Sequence, residues 1–209
     1  LSDYLNKINR LHVEINHQAN IMNFIEKDFI ILRGIYSNFY SHYYLVFHID
    51  SFHLFMMKKI KNLHESEHEI YFDEHYSHRC FVKFYGFLYE KGEKVGFIYE
   101  FMSNGSLSSY ILKKQDKTDD LFILTTINRL YQSLFYLYSN NLIHRDIKPS
   151  NILINNDFQT FLSDFETIRP LDQDQNNPNI KNEFTNDLGS LLYISPEQFE
   201  GKQISFSSD

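Results

Sequence analysis

HRDIKPSN, residues 144–151, is followed thirteen residues later by DFE at 164–166. The loop offers Asp146, Lys148 and Asn151 within six residues, and Asp164 returns after a short hairpin. Together they make three oxygen-bearing side chains and one cation, a set that suits a metal-bound polyphosphate. Magnesium prefers oxygen ligands and shares its shell with phosphates, and a lysine offsets charge that moves through the transition state. The rival reading makes Asp146, Asn151 and Asp164 ordinary turn residues. Against it stands the ordered series H-R-D-x-K-x-x-N, D-F-x and, at 189–197, GSLLYISPE.

Outward from this centre, the chain divides into strands first and helices later, the α+β arrangement. Leu1, Leu5, Ile8, Leu11 and Ile15 form a helical stripe, and the absence of Gly and Pro from residues 1–28 predicts a helical lead-in there. DFIILRGIY (28–36), YYLVFHI (43–49) and FHLFMMKKI (52–60) predict an antiparallel meander. NLHESEHEIYFDEHY (62–76) predicts a polar helix, and FVKFYGFLY (81–89) and KVGFIYEF (94–101) predict two strands reversed across EKGE (90–93). Leu124, Ile127, Leu130, Leu134 and Leu137 predict a buried helix from Leu121, stopped by Asn140 and Asn141. The polar tract 172–183 has little to bury and is expected to be a loop. These readings give an N-terminal extension over 1–26, a sheet-bearing unit over 27–102 and a helical unit over 103–209, with a natural cleft where FMSNG (101–105) joins them.

Composition narrows the partners. The 209 residues carry 20 Lys and Arg against 27 Asp and Glu, a formal charge of -7. This balance disfavours nucleic acid and anionic membranes, whose binding is largely electrostatic. Cys80 is the single cysteine, so no internal disulfide can form and a reducing, cytoplasmic compartment is expected. No run approaches the roughly 18 apolar residues of a membrane helix, and the start lacks a signal-peptide layout. The opening Leu1 and the closing ISFSSD suggest a piece of something longer. HESEH (64–68) satisfies H-E-x-x-H, but no third zinc ligand follows downstream, and a solvated helix face is the better reading.

The joint series strongly resembles the eukaryotic protein kinase family, of the serine/threonine type because of Lys148. The resemblance covers roughly Lys27 to the last residue and implies a bilobal fold with a small antiparallel-sheet lobe. The second lobe would be mainly helical, cut short at its large central helix. It implies ATP and Mg2+ as cofactors and a protein substrate. Asp146 then resembles the base that accepts the substrate hydroxyl proton, Lys148 the phosphate-steadying lysine, and Asn151 and Asp164 the magnesium ligands. Lys58 in FMMK stands for the lysine on the α- and β-phosphates, with Glu69 as its helix partner; a surface ion pair is the rival, since KKIK and ESEHE offer others. Tyr99 resembles the gatekeeper, Glu100 and Met102 the hinge that meets adenine, and Leu153 a further nucleotide contact. Gly189, Ser190, Pro196 and Glu197 resemble the stretch that seats the substrate, and Asp209 the aspartate that braces the catalytic loop. Arg145 is read either as meeting a phosphate in the activation loop, with Thr185 as the candidate acceptor, or as a plain loop arginine.

The pattern also departs from the family. Its phosphate-loop glycines fall on Tyr36, Asn38 and Ser41, so the backbone loses the side-chain-free approach that glycine permits. Met56 and Tyr43 are bulky where the family is small, and Glu166 replaces the glycine of D-F-G beside Asp164. Asp73 stands four residues after Glu69, where an apolar residue is usual, with Phe72 or Tyr76 able to take that place after a small shift. Two readings therefore stay open: an ATP- and magnesium-dependent protein kinase, and a pseudokinase that binds or scaffolds.

Overall fold

The computed structural model describes residues 21–38, 40–61, 66–114, 119–171, 192–200, 202 and 204–209. The helical stripe of 1–20, the polar tract, His64, Glu65, Thr185, Gly189 and Ser190 lie outside them. The chain forms two compact units, Leu1–Met102 and Ser103–Asp209. Strands dominate the first and helices the second, an α+β architecture.

The first unit is built on six strands: β1 (Met22–Ile25), β2 (Phe29–Ser37), β3 (Ser41–His48), β4 (His53–Ile60), β5 (Phe84–Glu90) and β6 (Glu93–Glu100). Their order is β1-β5-β6-β4-β3-β2. β2, β3 and β4 form the expected antiparallel meander. The helical expectation fails over 22–28: β1 is a strand that pairs parallel with β5, making the sheet mixed, and a 3-10 turn follows at Glu26–Asp28. The physical reason is tertiary. Phe24, 3% exposed, inserts among Phe29, Val46, Phe55, Met57, Leu88 and Ile98, and burying that ring outweighs a weak local helix preference. Gly86 is what lets β1 approach, because a Cβ there would sit 1.9 Å from the Met22 carbonyl oxygen.

EKGE closes as expected. Lys91 and Gly92 both have positive φ (52° and 90°), the two-residue reversal whose twist suits a hairpin. Strand alternation then sorts the sheet faces. Phe55, Met57 and Ile98 enter the core just described, whereas Met56 and Lys58 on β4 face Tyr99 and Phe97 across the β6 ladder. Helix α1 (Glu67–His75) supplies Ile70 to the cluster of Phe84, Phe87 and Phe97 on this second face.

The second unit contains β7 (Gly105–Ser106), α2 (Leu107–Lys114), α3 (Asp120–Ser139), β8 (Leu142–Ile143), β9 (Ile152–Ile154), β10 (Thr160–Leu162), β11 (Arg169–Pro170) and a short α4 (Pro196–Phe199). Asp119 caps α3 by accepting from the Leu121 N–H at 3.1 Å. Asn141, at φ 58°, ends it in the left-handed conformation that asparagine tolerates. The helix is thus placed as the sequence predicts, but its burial is not. Leu121, Leu124 and Ile127 are 65%, 64% and 59% exposed, while Thr126, Ser133 and Leu137 are buried. α3 is apolar around most of its girth, so periodicity alone does not select the face that packs on β8 and β10.

Candidate active site

In the first unit, the β4 register turns Lys58 toward α1, and the helix presents Glu69 to it. The Lys58 ammonium donates to both Glu69 oxygens, at 2.7 and 2.6 Å, with the two side chains about 2% exposed. This is a buried pair, not the surface pair that was its rival. The rings of Phe97 and Tyr43 lie 5.3 and 5.7 Å from the ammonium. The Tyr99 hydroxyl donates to Glu69 Oε1 at 2.9 Å and also bonds Asp73 Oδ2. Burial, then the neighbouring Glu69 charge, push the Asp73 carboxyl well above the usual carboxylate range. Burial likewise raises the Tyr99 phenol, with Asp73 and Glu69 adding to it.

One helical turn explains which side chain takes which place. Asp73 is four residues from Glu69 and shares its face, whereas Phe72 turns away to stack on Tyr76 and lean on Phe81. Glu100 ends β6, its N–H donating to the Lys83 carbonyl at 2.9 Å, and Met102 is buried.

The hairpin between β2 and β3 departs furthest from a phosphate cradle. Asn38 Oδ1 accepts from the Tyr40 N–H at 2.9 Å and the Ser41 N–H at 2.6 Å, and Lys61 Nζ reaches the Asn38 carbonyl at 2.7 Å. Amides that would have to face an anion are already occupied by an asparagine side chain.

In the second unit the residues 144–151 and 163–167 are tied together. Asp146 Oδ2 receives Lys148 Nζ at 2.8 Å and Asn151 Nδ2 at 2.9 Å, so these three expected residues share one cluster. The Ser163 N–H and hydroxyl both donate to the Asn151 carbonyl at 2.9 Å, which fixes the backbone just before Asp164. Asp164 itself has φ 67° and Arg145 φ 73°, left-handed positions that are costly outside glycine and concentrate at functional sites. Leu153 lies half-buried on β9, between Ser106 and Phe161.

His144 is fully buried and its protonation follows from its two contacts. Nε2 lies 3.2 Å from the Ser163 carbonyl, which can only accept, and Nδ1 lies 3.4 Å from the Asp146 N–H, which can only donate. Both are satisfied by the neutral Nε2–H tautomer. Burial lowers the imidazole pKa, with Asp209 and Asp146 opposing. Asp209 accepts the His144 and Arg145 N–H groups at 2.8 and 2.7 Å, bracing the loop from the end of the sequence. Gln198 adds a bond to the Arg145 carbonyl at 3.2 Å, and the Thr167 hydroxyl one to that of His144 at 2.8 Å. Glu197 accepts from the Ser208 hydroxyl, and Pro196 opens α4 behind the Ser195 cap.

Ser163, Thr167 and Gln198 escaped sequence reasoning because short polar side chains in loops carry no periodic signal. Asp73 carried one, the i, i+4 spacing of two carboxylates. Among the described residues no three His, Cys, Asp or Glu side chains are grouped to hold a metal. Asn151 and Asp164 offer one amide oxygen and one carboxylate, a donor set that fits magnesium because that ion fills its remaining positions with phosphate and water. Arg169 Nη1 donates to the Glu166 carbonyl at 2.9 Å and the Ile168 carbonyl at 2.7 Å, bridging the turn around the residue that replaces glycine.

A buried lysine–glutamate pair on a β-sheet and an Asp-x-Lys-x-x-Asn loop held by a distal aspartate are features of the protein kinase class of folds. The protein kinase domain model matches residues 36–209, and the chain belongs to the protein kinase family. It is similar to the 3-phosphoinositide-dependent protein kinase 1 of Rattus norvegicus, 37% identical over 134 residues, which covers 63% of this chain and 22% of that protein. It is also similar to a probable L-type lectin-domain containing receptor kinase S.5 of Arabidopsis thaliana, 32% identical over 64% of this chain and 21% of that protein. A dual specificity mitogen-activated protein kinase kinase 1 of Dictyostelium discoideum is 34% identical over 64% of this chain and 19% of its own length. The chain thus spans about a fifth of these relatives.

Proposed function

We propose that this chain carries the phosphoryl-transfer machinery of an ATP- and magnesium-dependent kinase acting on Ser and Thr hydroxyls of protein substrates. The observation that carries this reading is the cluster of Asp146, Lys148 and Asn151. Both bonds to the Asp146 carboxylate fall on Oδ2, so Oδ1 is the oxygen left to take the proton of an incoming hydroxyl. As that hydroxyl oxygen attacks the terminal phosphorus of ATP and the bond to the bridging oxygen breaks, Lys148 offsets charge on the moving group. Lys58, held by Glu69, is the cation for the α- and β-phosphates. Magnesium, held by Asn151 Oδ1 and the Asp164 carboxylate when bound, would neutralise phosphate charge and offset the repulsion that Glu166 adds. Glu100, Met102 and Leu153 are assigned to the adenine. Cys80, the single cysteine of the sequence, is buried, which fits a reducing cytoplasm.

The Asn38 hairpin favours a second reading, a pseudokinase with weak nucleotide binding and a scaffolding role. One comparison separates the two: phosphate transfer from labelled ATP to a generic protein acceptor by the chain and by Asp146→Asn, with thermal shifts by ATP read with and without magnesium. Kinase activity predicts transfer that the substitution abolishes, and a shift that requires magnesium. Equal silence of both proteins, with an ATP shift indifferent to magnesium, supports the scaffold.

A further inference from the structure

Four side chains on the helix-facing side of the first unit's sheet are joined in series. Lys58 bonds Glu69 through both carboxylate oxygens, Tyr99 contacts Glu69 Oε1 at 2.9 Å, and Tyr99 also contacts Asp73 Oδ2. A phenol has one hydrogen, and it cannot be donated to two carboxylates at once. One of the two carboxyls must therefore supply a hydrogen of its own. Glu69 is bound to an ammonium through both oxygens, so it keeps its negative charge, and the proton belongs on Asp73.

We propose that Asp73 is a protonated hydrogen-bond donor to Tyr99, and that Asp73 and Tyr99 are positioning residues. Through Tyr99 O–H donating to Glu69, they hold the carboxylate on Lys58. The sequence Asp73 to Tyr99 to Glu69 to Lys58 gives the carboxyl hydrogen and the phenol hydrogen one acceptor each and leaves the Lys58–Glu69 ion pair with a neutral Asp73 beside it. Burial supports this charge state, since Asp73, Glu69 and Lys58 are 3%, 2% and 1% exposed. Among the described residues, the charged groups acting on Asp73 are Glu69 and Glu74 on α1 and Lys58 on β4; Glu74 is itself paired with Lys94 of β6. Desolvation, the largest influence on Asp73, also favours its neutral form. The consequence for ATP handling rests on the function proposed above, whereas the hydrogen-bonded chain itself does not.

The test uses Asp73→Asn, whose amide can still donate to Tyr99, against Asp73→Leu and Tyr99→Phe, which remove the donor or the relay. Infrared spectroscopy at neutral pH should show a protonated-carboxyl band in the wild-type chain that disappears in Asp73→Asn. Acylation of Lys58 by an amine-reactive probe, followed by peptide mass spectrometry, should accelerate about fivefold in Asp73→Leu and Tyr99→Phe, the effect of one lost hydrogen bond of about 1 kcal/mol. Asp73→Asn should stay at the wild-type rate. Both measurements read the inactive protein as well as the active one, so their failure is separable from failure of the kinase reading. Where the chain transfers phosphate, KM for ATP should rise by a similar factor in Asp73→Leu and Tyr99→Phe with kcat less affected, and Asn at 73 should restore it. Absence of the carboxyl band, or an Asp73→Asn protein as reactive at Lys58 as Asp73→Leu, overturns the proposal.

Discussion

The buried Lys58–Glu69 pair makes a strong quantitative demand. Its ammonium and carboxylate meet at 2.6 and 2.7 Å with both side chains about 2% exposed. Replacing one partner alone strands an ionised group in the interior at a cost of about 3–5 kcal/mol, and replacing both with apolar side chains of similar volume is close to neutral. Lys58→Met and Glu69→Leu should each lower Tm by roughly 6–20 °C, at about 2–4 °C per kcal/mol for a chain of this length. The double variant should regain most of that loss, a coupling of about 3 kcal/mol or more in urea unfolding. It should nonetheless lose nucleotide binding, because the cation proposed for the phosphates is gone. Single substitutions that cost below about 1 kcal/mol and simply add in the double variant would mean a solvated pair. The assignment of Lys58 to an internal site would then fail.

Three further outcomes follow from the geometry. His144 is held neutral with its pKa below 6.5, so the fold binds fewer protons than the unfolded chain. Stability should therefore fall as pH drops through the ordinary imidazole range, by up to about 1.4 kcal/mol per pH unit; pH-dependent unfolding of wild type against His144→Gln isolates this limb, which should flatten in the variant. Gly86→Ala would place a Cβ 1.9 Å from the Met22 carbonyl oxygen, and should cost about 1–3 kcal/mol and open β1 to proteolysis; an unchanged Tm would contradict the β1–β5 pairing. Asn38→Gly should free the Tyr40 and Ser41 amides, raising magnesium–ATP affinity in calorimetry while weakening the hairpin by about 1 kcal/mol. Unchanged affinity would show that those amides do not limit binding.

Much of this protein is legible in the sequence because its signals are local. The meander, the EKGE reversal, the asparagine stop after Ser139 and the Asp146–Lys148–Asn151 loop each depend on residues close in the chain, where dihedral preference and strand alternation act directly. The pairing of Lys58 with Glu69 is what the family resemblance implied, and a strand and the following helix bring the two together over eleven residues. Other features needed the tertiary structure. Residues 22–25 became a strand because Phe24 found a core assembled from β2, β3, β4, β5 and β6. α3 turned Thr126, Ser133 and Leu137 inward and left Leu121, Leu124 and Ile127 exposed, a choice an all-round apolar helix does not encode. The charge state of Asp73 was decided by a phenol 26 residues away, since the number of hydrogens available to two carboxylates becomes fixed only when distant groups share one dry space.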